Sequence, residues 1–207
     1  MERTGFPFPS GGLSGTWDPL KRWVPISVAG LAVLSGLLVW WRWHWENRFD
    51  AQIRAGATRY GLPPALVKAV IWKESRFNPE ARGKAGEIGL MQITEDAAQE
   101  WADSLRLRDY GHEHTLDPAT NVLAGTHYLA KVLRRYGATD NPVAYALADY
   151  NAGRGNVLRW MNSTNAPAAR TNSQVFLATM TFPGTRQYVR DILERRSHYE
   201  SQFLKRP

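Results

Sequence analysis

Val70–Ile93 reads VIWKESRFNPEARGKAGEIGLMQI. The stretch opens as a helix and places one glutamate, Glu74, at the end of its apolar face. It then runs through a Gly-rich loop into the uncharged turn Gly89-Leu90-Met91-Gln92. Just upstream, Pro63-Pro64 predicts the helix start, because proline suits the first turn. Leu66, Val67, Val70 and Ile71 recur at helical spacing. Glu74 follows Val70 by four residues and Ile71 by three, so it falls on the same stripe, whereas Lys68 and Lys73 fall off it. Burial disfavours a carboxylate's charged form and raises its pKa. A neutral acid near pH 7 can protonate a leaving oxygen, as glycosidases require. The spacing equally fits a glutamate that points to water where the stripe ends.

Working outward, helices recur with short connections, and no alternating strand pattern or internal repeat is visible. Asp50 is expected to cap a helix running to Tyr60, with Gly61 as its stop. Thr94 caps a helix carrying Ala97, Ala98 and Trp101. Asp117-Pro118 starts a longer one with Val122, Leu123, Leu129, Ala130 and Leu133 inward, stopped at Gly137. Asn141-Pro142 begins another, through Tyr150, which Asn151-Ala152-Gly153 breaks. A short helix over 157–161 follows, and the polar, proline-containing stretch 163–174 reads as a mobile loop. The last helix starts near Thr185 and carries Tyr188, Val189, Ile192, Leu193 and Tyr199 on one face.

Glycosidases usually use two carboxylates. Glu80 and Glu87 lie in the loop after Glu74 and are the nearby candidates; if neither serves, an N-acetyl sugar can supply the second group through its carbonyl oxygen.

Glu74-Ser75, Phe77-Asn78-Pro79, Gly86 and Gly89-Leu90-Met91-Gln92-Ile93 together resemble the first two motifs of the lytic transglycosylases of the goose-lysozyme-like fold. Ala148-Asp149-Tyr150-Asn151-Ala152-Gly153 is similar to that family's third motif, and Thr185-Arg186-Gln187-Tyr188-Val189 to its fourth. The order and spacing are compatible, and the resemblance covers about residues 51–199. It implies an all-α, lysozyme-like (goose-type) helical domain over residues 46–207. It further implies cleavage of the bond between N-acetylmuramic acid and N-acetylglucosamine in peptidoglycan, leaving a 1,6-anhydromuramoyl end. Glu74 would be the catalytic acid and then base. Met91 and Gln92 would line the cleft, Tyr150 would reach toward Glu74 or the N-acetyl group, and Asn151 would shape the sugar site. Ser75 would orient the acid or the loop, and Tyr188 would join the substrate-binding set. No cofactor is implied. The chain departs from the family pattern in four places. Asp149 stands where Ala is usual, Gly184 where a Glu positions the N-acetyl group, Gly83 where Ser is common, and Glu87 where Ala is frequent. Glu87 would add a carboxylate to the cleft rim.

Residues 1–20 are rich in Gly, Pro and Ser and read as a flexible tail. From Trp23 to Trp41 no residue is charged, and Trp23, Trp40, Trp41, Trp43 and Trp45 stand where interfacial aromatics belong. This predicts a transmembrane signal-anchor helix with its flanks over residues 21–45. The basic residues are balanced (Arg3, Lys21 and Arg22 before; Arg42, Arg48 and Arg54 after), and the short tail favours an inside N-terminus. The expectation is a single-pass protein of the bacterial inner membrane with its larger domain on the periplasmic, peptidoglycan side. Ser27, Gly30, Ser35 and Gly36 would permit helix pairing within an envelope complex.

The 207 residues, 43% hydrophobic and 22% charged, suit one domain plus an appendage. The absence of cysteine excludes a disulfide scaffold, a thiolate zinc site and a cysteine nucleophile. The net charge of +7 favours an anionic partner such as an acidic wall polymer. No dense Lys/Arg run points to nucleic acid. His112 and His114, near Asp109, Glu113 and Asp117, form the nearest approach to a metal cluster, and a solvated loop is the preferred reading, with no metal expected. Alternatives from other classes are a muramidase hydrolysing the same bond with water and a non-catalytic wall-binding module of an envelope complex.

Overall fold

A computed structural model describes Met1 and residues 19–204, with side-chain surroundings from Gly30 onward. The expected flexible tail lies outside the described residues. The described residues are helical, without strands: α1 (Pro19–Asn47), α2 (Asp50–Tyr60), α3 (Pro64–Ser75), α4 (Glu95–Ser104), α5 (Pro118–Arg134), α6 (Pro142–Ala152), α7 (Arg154–Met161), α8 (Ser173–Thr179) and α9 (Pro183–Leu204). Short 3-10 turns at His112–Leu116 and Pro167–Arg170 join them. The chain forms two compact units, Met1–Trp43 and His44–Pro207.

In the first unit, the expected membrane-spanning helix is overturned. No helix among the described residues is long and apolar enough to cross a membrane.

The second unit is built around α3. Every residue from Ala65 to Ile71 is buried, so this helix is enclosed on all sides rather than along one stripe. Helix α9 packs along it, α2 packs against α3 and α5, and α6 bridges α5 and α9. The stripe reading of α3 was therefore too narrow, and it misplaced Lys68, which is fully buried. The Lys68 Nζ donates to Asp50 Oδ1 at 2.6 Å and to Asn47 Oδ1 at 2.7 Å, and lies 5.0 Å from the centre of the Tyr199 ring. This corrects the role of Asp50, which stands inside α2 behind Phe49 and makes no capping bond. A cap contributes about 1 kcal/mol, whereas leaving an ammonium buried without a counter-charge costs several times more. Nearby, Arg195 of α9 pairs with Glu46 at 2.8 Å.

Local start and stop chemistry explains the other helices. Thr94 Oγ1 accepts from the Ala97 N–H, and Asp117 Oδ2 accepts from the Thr120 N–H at 2.8 Å. Gly61 closes α2 at φ 68°. Helix α5 ends at Arg134, short of Gly137, and α6 runs on through Asn151 and Ala152. The stretch expected to be a mobile loop is pinned. The Tyr145 hydroxyl donates to Ala169 O at 3.0 Å, and Asp140 accepts from both the N–H and the hydroxyl of Ser173. Phe176 of α8 stacks on Tyr145 with ring centres 4.1 Å apart.

Asp50→Ala should destabilise the protein by about 3 kcal/mol, because it strips a counter-charge from a buried ammonium. Lys68→Met removes the charge itself and should cost clearly less. Urea unfolding of both variants checks this; equal losses would show that the ion pair is not the stabilising feature.

Candidate active site

Helix α3 ends by delivering Glu74 from the core to the surface of a cleft. Two consecutive non-glycine residues, Arg76 (φ 53°) and Phe77 (φ 64°), then take left-handed backbone conformations and turn the chain sharply. Such conformations persist only when the surroundings hold them. Here the Trp45 Nε1–H donates to Arg76 O at 2.9 Å, Arg48 Nη2 donates to Phe77 O, and the Phe77 ring is buried.

The loop that follows folds back on itself through single bridges between Arg82 and Ile88 and between Ile88 and Ile93. Asn121 of α5 clamps it. Its Nδ2 donates to Ile88 O (2.9 Å) and Thr115 O (2.8 Å), while its Oδ1 accepts from the Met91 N–H (2.8 Å). Gly89 is required at this clamp: φ is 79°, and a Cβ there would stand 2.0 Å from Asn121 Nδ2. Gln92 adopts φ 48° and locks the loop from the other side, its Nε2 donating to Ala81 O (3.0 Å) and Gly89 O (2.9 Å). Ser75 Oγ donates to Leu90 O at 2.8 Å, tying the end of α3 to the loop.

Glu74, Glu87, Gln92, Tyr128, Tyr150 and Asn151 line a cleft of about 270 Å³. The Tyr188 hydroxyl of α9 donates to Glu74 Oε1 at 2.5 Å. The Tyr150 hydroxyl donates to Met91 O at 2.8 Å, and Asn151 Oδ1 accepts from Thr185 Oγ1 at 2.8 Å. Burial pushes the Glu74 carboxyl from its usual 4.5 up to about 7, and the negative charge of Glu87 adds to the rise. The Tyr188 hydrogen bond and the Lys73 charge oppose it. Burial and the neighbouring Glu74 hold the Tyr150 and Tyr188 hydroxyls well above their usual range, so both remain donors. The arrangement presents a proton-bearing carboxyl, already oriented by one donor, to whatever occupies the cleft.

One expected cleft residue sits elsewhere. Met91 is fully buried beneath the floor, its Sδ so close to α5 that a Cβ on Gly125 would stand 2.5 Å from it. Its main chain serves the site, the carbonyl as acceptor for Tyr150 and the N–H as donor to Asn121. Ser75 braces the loop and does not line the cleft. Tyr128, which packs on Tyr150 with ring centres 5.4 Å apart, and Asn121 escaped the sequence reading. Asn121 was legible in part, since it shares a helix face with Gly125 and Leu129 and interrupts the apolar pattern there. The unusual Asp149 is buried and faces away from the cleft, paired with Arg135 Nη1 (3.0 Å) and the Tyr136 hydroxyl (2.7 Å). In the His112/His114 segment, His112 Nε2 bonds to Ile93 O (2.8 Å), and His114 Nδ1 accepts the Gly111 N–H (2.9 Å). Among the described residues no group of three or more potential metal ligands converges.

Residues 51–173 match the family model described as "Transglycosylase SLT domain". The chain is 32% identical over 184 residues to the soluble lytic murein transglycosylase of Salmonella typhimurium and 31% identical to that of Escherichia coli K12, covering 86% of this chain and 27% of each relative. It thus spans about a quarter of the length of the curated relatives it matches. Among solved structures it resembles an inactive mutant of the lytic transglycosylase Slt of Pseudomonas aeruginosa (TM-score 0.65, 29% identity, 76% of this chain and 24% of that one). It also resembles a complex of a 70-kDa soluble lytic transglycosylase with bulgecin A (TM-score 0.66, 28% identity, 89% and 29%). The all-helical, lysozyme-like fold follows from these neighbours. The expected placement as a single-pass inner-membrane protein is overturned on two findings. The curated relatives are named soluble, and no helix among the described residues is long and apolar enough to cross a membrane.

The raised Glu74 pKa has a consequence for stability that does not depend on activity. Because the folded state holds this proton more tightly than the unfolded chain, the contribution is fully present below about pH 4.5 and is lost as pH rises through about 7. Its size is on the order of 3 kcal/mol. Glu74→Gln should flatten this decline, most visibly as higher stability above pH 7. Urea unfolding at pH 4.5, 6 and 8 checks it; parallel curves for the two proteins would contradict the raised value.

Proposed function

The chain belongs to the transglycosylase SLT domain family, and from that premise we propose that its catalytic unit, residues 46–207, cleaves the β-1,4 bond between N-acetylmuramic acid and N-acetylglucosamine in peptidoglycan, leaving a 1,6-anhydromuramoyl end. The observation that carries this reading is the Glu74 carboxyl, brought by a buried helix into the cleft and held near pKa 7. Both the family and the cleft chemistry support it, and the net charge of +7 suits a wall polymer bearing carboxylates.

In this mechanism Glu74 donates its proton to the glycosidic oxygen as the bond to the muramoyl C1 breaks. The N-acetylglucosamine hydroxyl leaves, and positive charge develops at C1. The 6-hydroxyl of the same muramoyl residue then attacks C1, and the Glu74 carboxylate takes its proton. One carboxyl serves as acid and then base, and no water is consumed. The Tyr188 hydroxyl, 2.5 Å from Glu74 Oε1, fixes the carboxyl's rotamer and stabilises the anion formed between the two transfers. Gln92, Tyr150 and Asn151 shape the wall against which the N-acetyl sugar lies. Ser75 and the main chain of Met91 act one layer behind, by fixing the loop and Tyr150.

The full chain, incubated with purified peptidoglycan and followed by mass spectrometry, should release anhydromuramoyl products. Glu74→Gln should lower the rate by at least about 10²-fold. Reducing-end products would replace this reading with the muramidase one, and no products from folded protein would replace it with a wall-binding module.

A further inference from the structure

The cleft holds a second carboxylate whose seat is built into the loop. Glu87 lines the cavity together with Glu74. The Gly83 N–H donates to Glu87 O at 2.6 Å, closing the loop, and the Ala85 N–H donates to the side-chain Oε2 at 3.0 Å. The carboxylate rests directly on Gly83. A Cβ at that residue would stand 2.2 Å from Glu87 Oε2, 3.0 Å from its Cδ and 2.9 Å from Gln92 Oε1. Gly83 is not among the positive-φ glycines of the chain, so glycine serves here to make room rather than to permit a turn. The backbone thus carries a cradle of the size and polarity of one carboxylate, facing the cleft that contains the acid.

The charged and titratable groups around Glu74 come from five elements, with Tyr128 of α5 lining the same cleft. Lys73 precedes it on α3, but its ammonium is bound to Asp191 of α9 at 2.5 Å. Tyr188 of α9 and Tyr150 of α6 present neutral hydroxyls. Glu87 comes from the loop, and Lys84 lines the same cleft. Paired carboxylates placed in different surroundings divide the work of acid and anion between them.

We propose that Glu87 is the second carboxylate of the reaction, seated on Gly83 so that its negative charge faces the positive charge developing at the anomeric carbon and keeps the proton on Glu74 until transfer. This rests on the glycan-cleaving reading above. Glu87 forms no covalent bond. Glu74 still supplies the proton to the leaving oxygen, and the 6-hydroxyl still closes on C1, so the atoms balance as before. The Coulombic contribution of Glu87 to the raised Glu74 proton affinity is in keeping with this placement.

The test uses the full chain carrying Glu87→Gln. Two readouts are taken: the Glu74 side-chain carboxyl titration by carbon-13 NMR, and kcat and KM for release of anhydromuramoyl products across pH. The Glu74 midpoint should move to lower pH, and the alkaline limb of kcat with it. The kcat plateau should fall about tenfold or more, with KM changed far less. Gly83→Ala should move the midpoint in the same direction although Glu87 is still present. In a Glu87→Ala background Gly83→Ala should add nothing. An unmoved Glu74 midpoint, or a kcat plateau within about twofold of the parent, overturns the proposal. If the parent protein releases no anhydromuramoyl product, the glycan-cleaving reading fails instead, and the NMR titration still decides whether the two carboxylates are coupled.

Discussion

The structure depends on the complete burial of one short helix. Helix α3 has no solvent face between Ala65 and Ile71. A helix enclosed on all sides must find partners around its whole circumference, and α2 and α9 supply them. That enclosure also explains why a lysine is tolerated at its centre: Asp50 and Asn47 reach in from the preceding elements to meet it. The C-terminal end of the same helix emerges at the cleft. Glu74 is thus positioned by the most constrained element of the molecule, which gives it both its fixed place and its desolvation.

Local chemistry made much of the fold readable. Proline at the first turn of α3, α5 and α6, Thr94 and Asp117 as caps, and Gly61 as a left-handed stop act within a few residues, so sequence alone exposes them. What depended on distant partners was not readable. Asp50 has the form of a cap but answers to Lys68, 18 residues away. Helix α8 is only seven residues long, too short for a period, and is fixed by Tyr145 and Asp140. The anchor helix rests on hydropathy alone, and no helix among the described residues is long and apolar enough to cross a membrane.

The site shows the same division. The motif residues named a neighbourhood, and the structure sorts it by depth. Glu74, Glu87, Gln92, Tyr150 and Asn151 line the cleft, and Tyr188 reaches Glu74 through a hydrogen bond. Met91 and Ser75, neighbours of those residues in sequence, work from beneath through main-chain bonds and bracing. Alternation between wall and support is set by the left-handed residues Arg76, Phe77 and Gln92, whose conformations no periodicity analysis anticipates. Asn121 was hidden for a different reason: its task is to satisfy three main-chain groups of a loop distant in sequence.

The Asn121 clamp sets how the molecule meets a ligand. A buried amide that satisfies two carbonyls and one N–H cannot release any of them without leaving polar groups unpaired in the core. The cleft wall is therefore ordered when the chain folds and does not wait for an occupant. A polymer lying along it meets a rigid channel whose shape is already set, and nearly all of the conformational entropy lost on binding is the polymer's own. Selection along such a channel falls to the stiffness and local geometry of the incoming strand, so a pre-extended, rigid polymer is favoured over a flexible chain offering the same chemical groups.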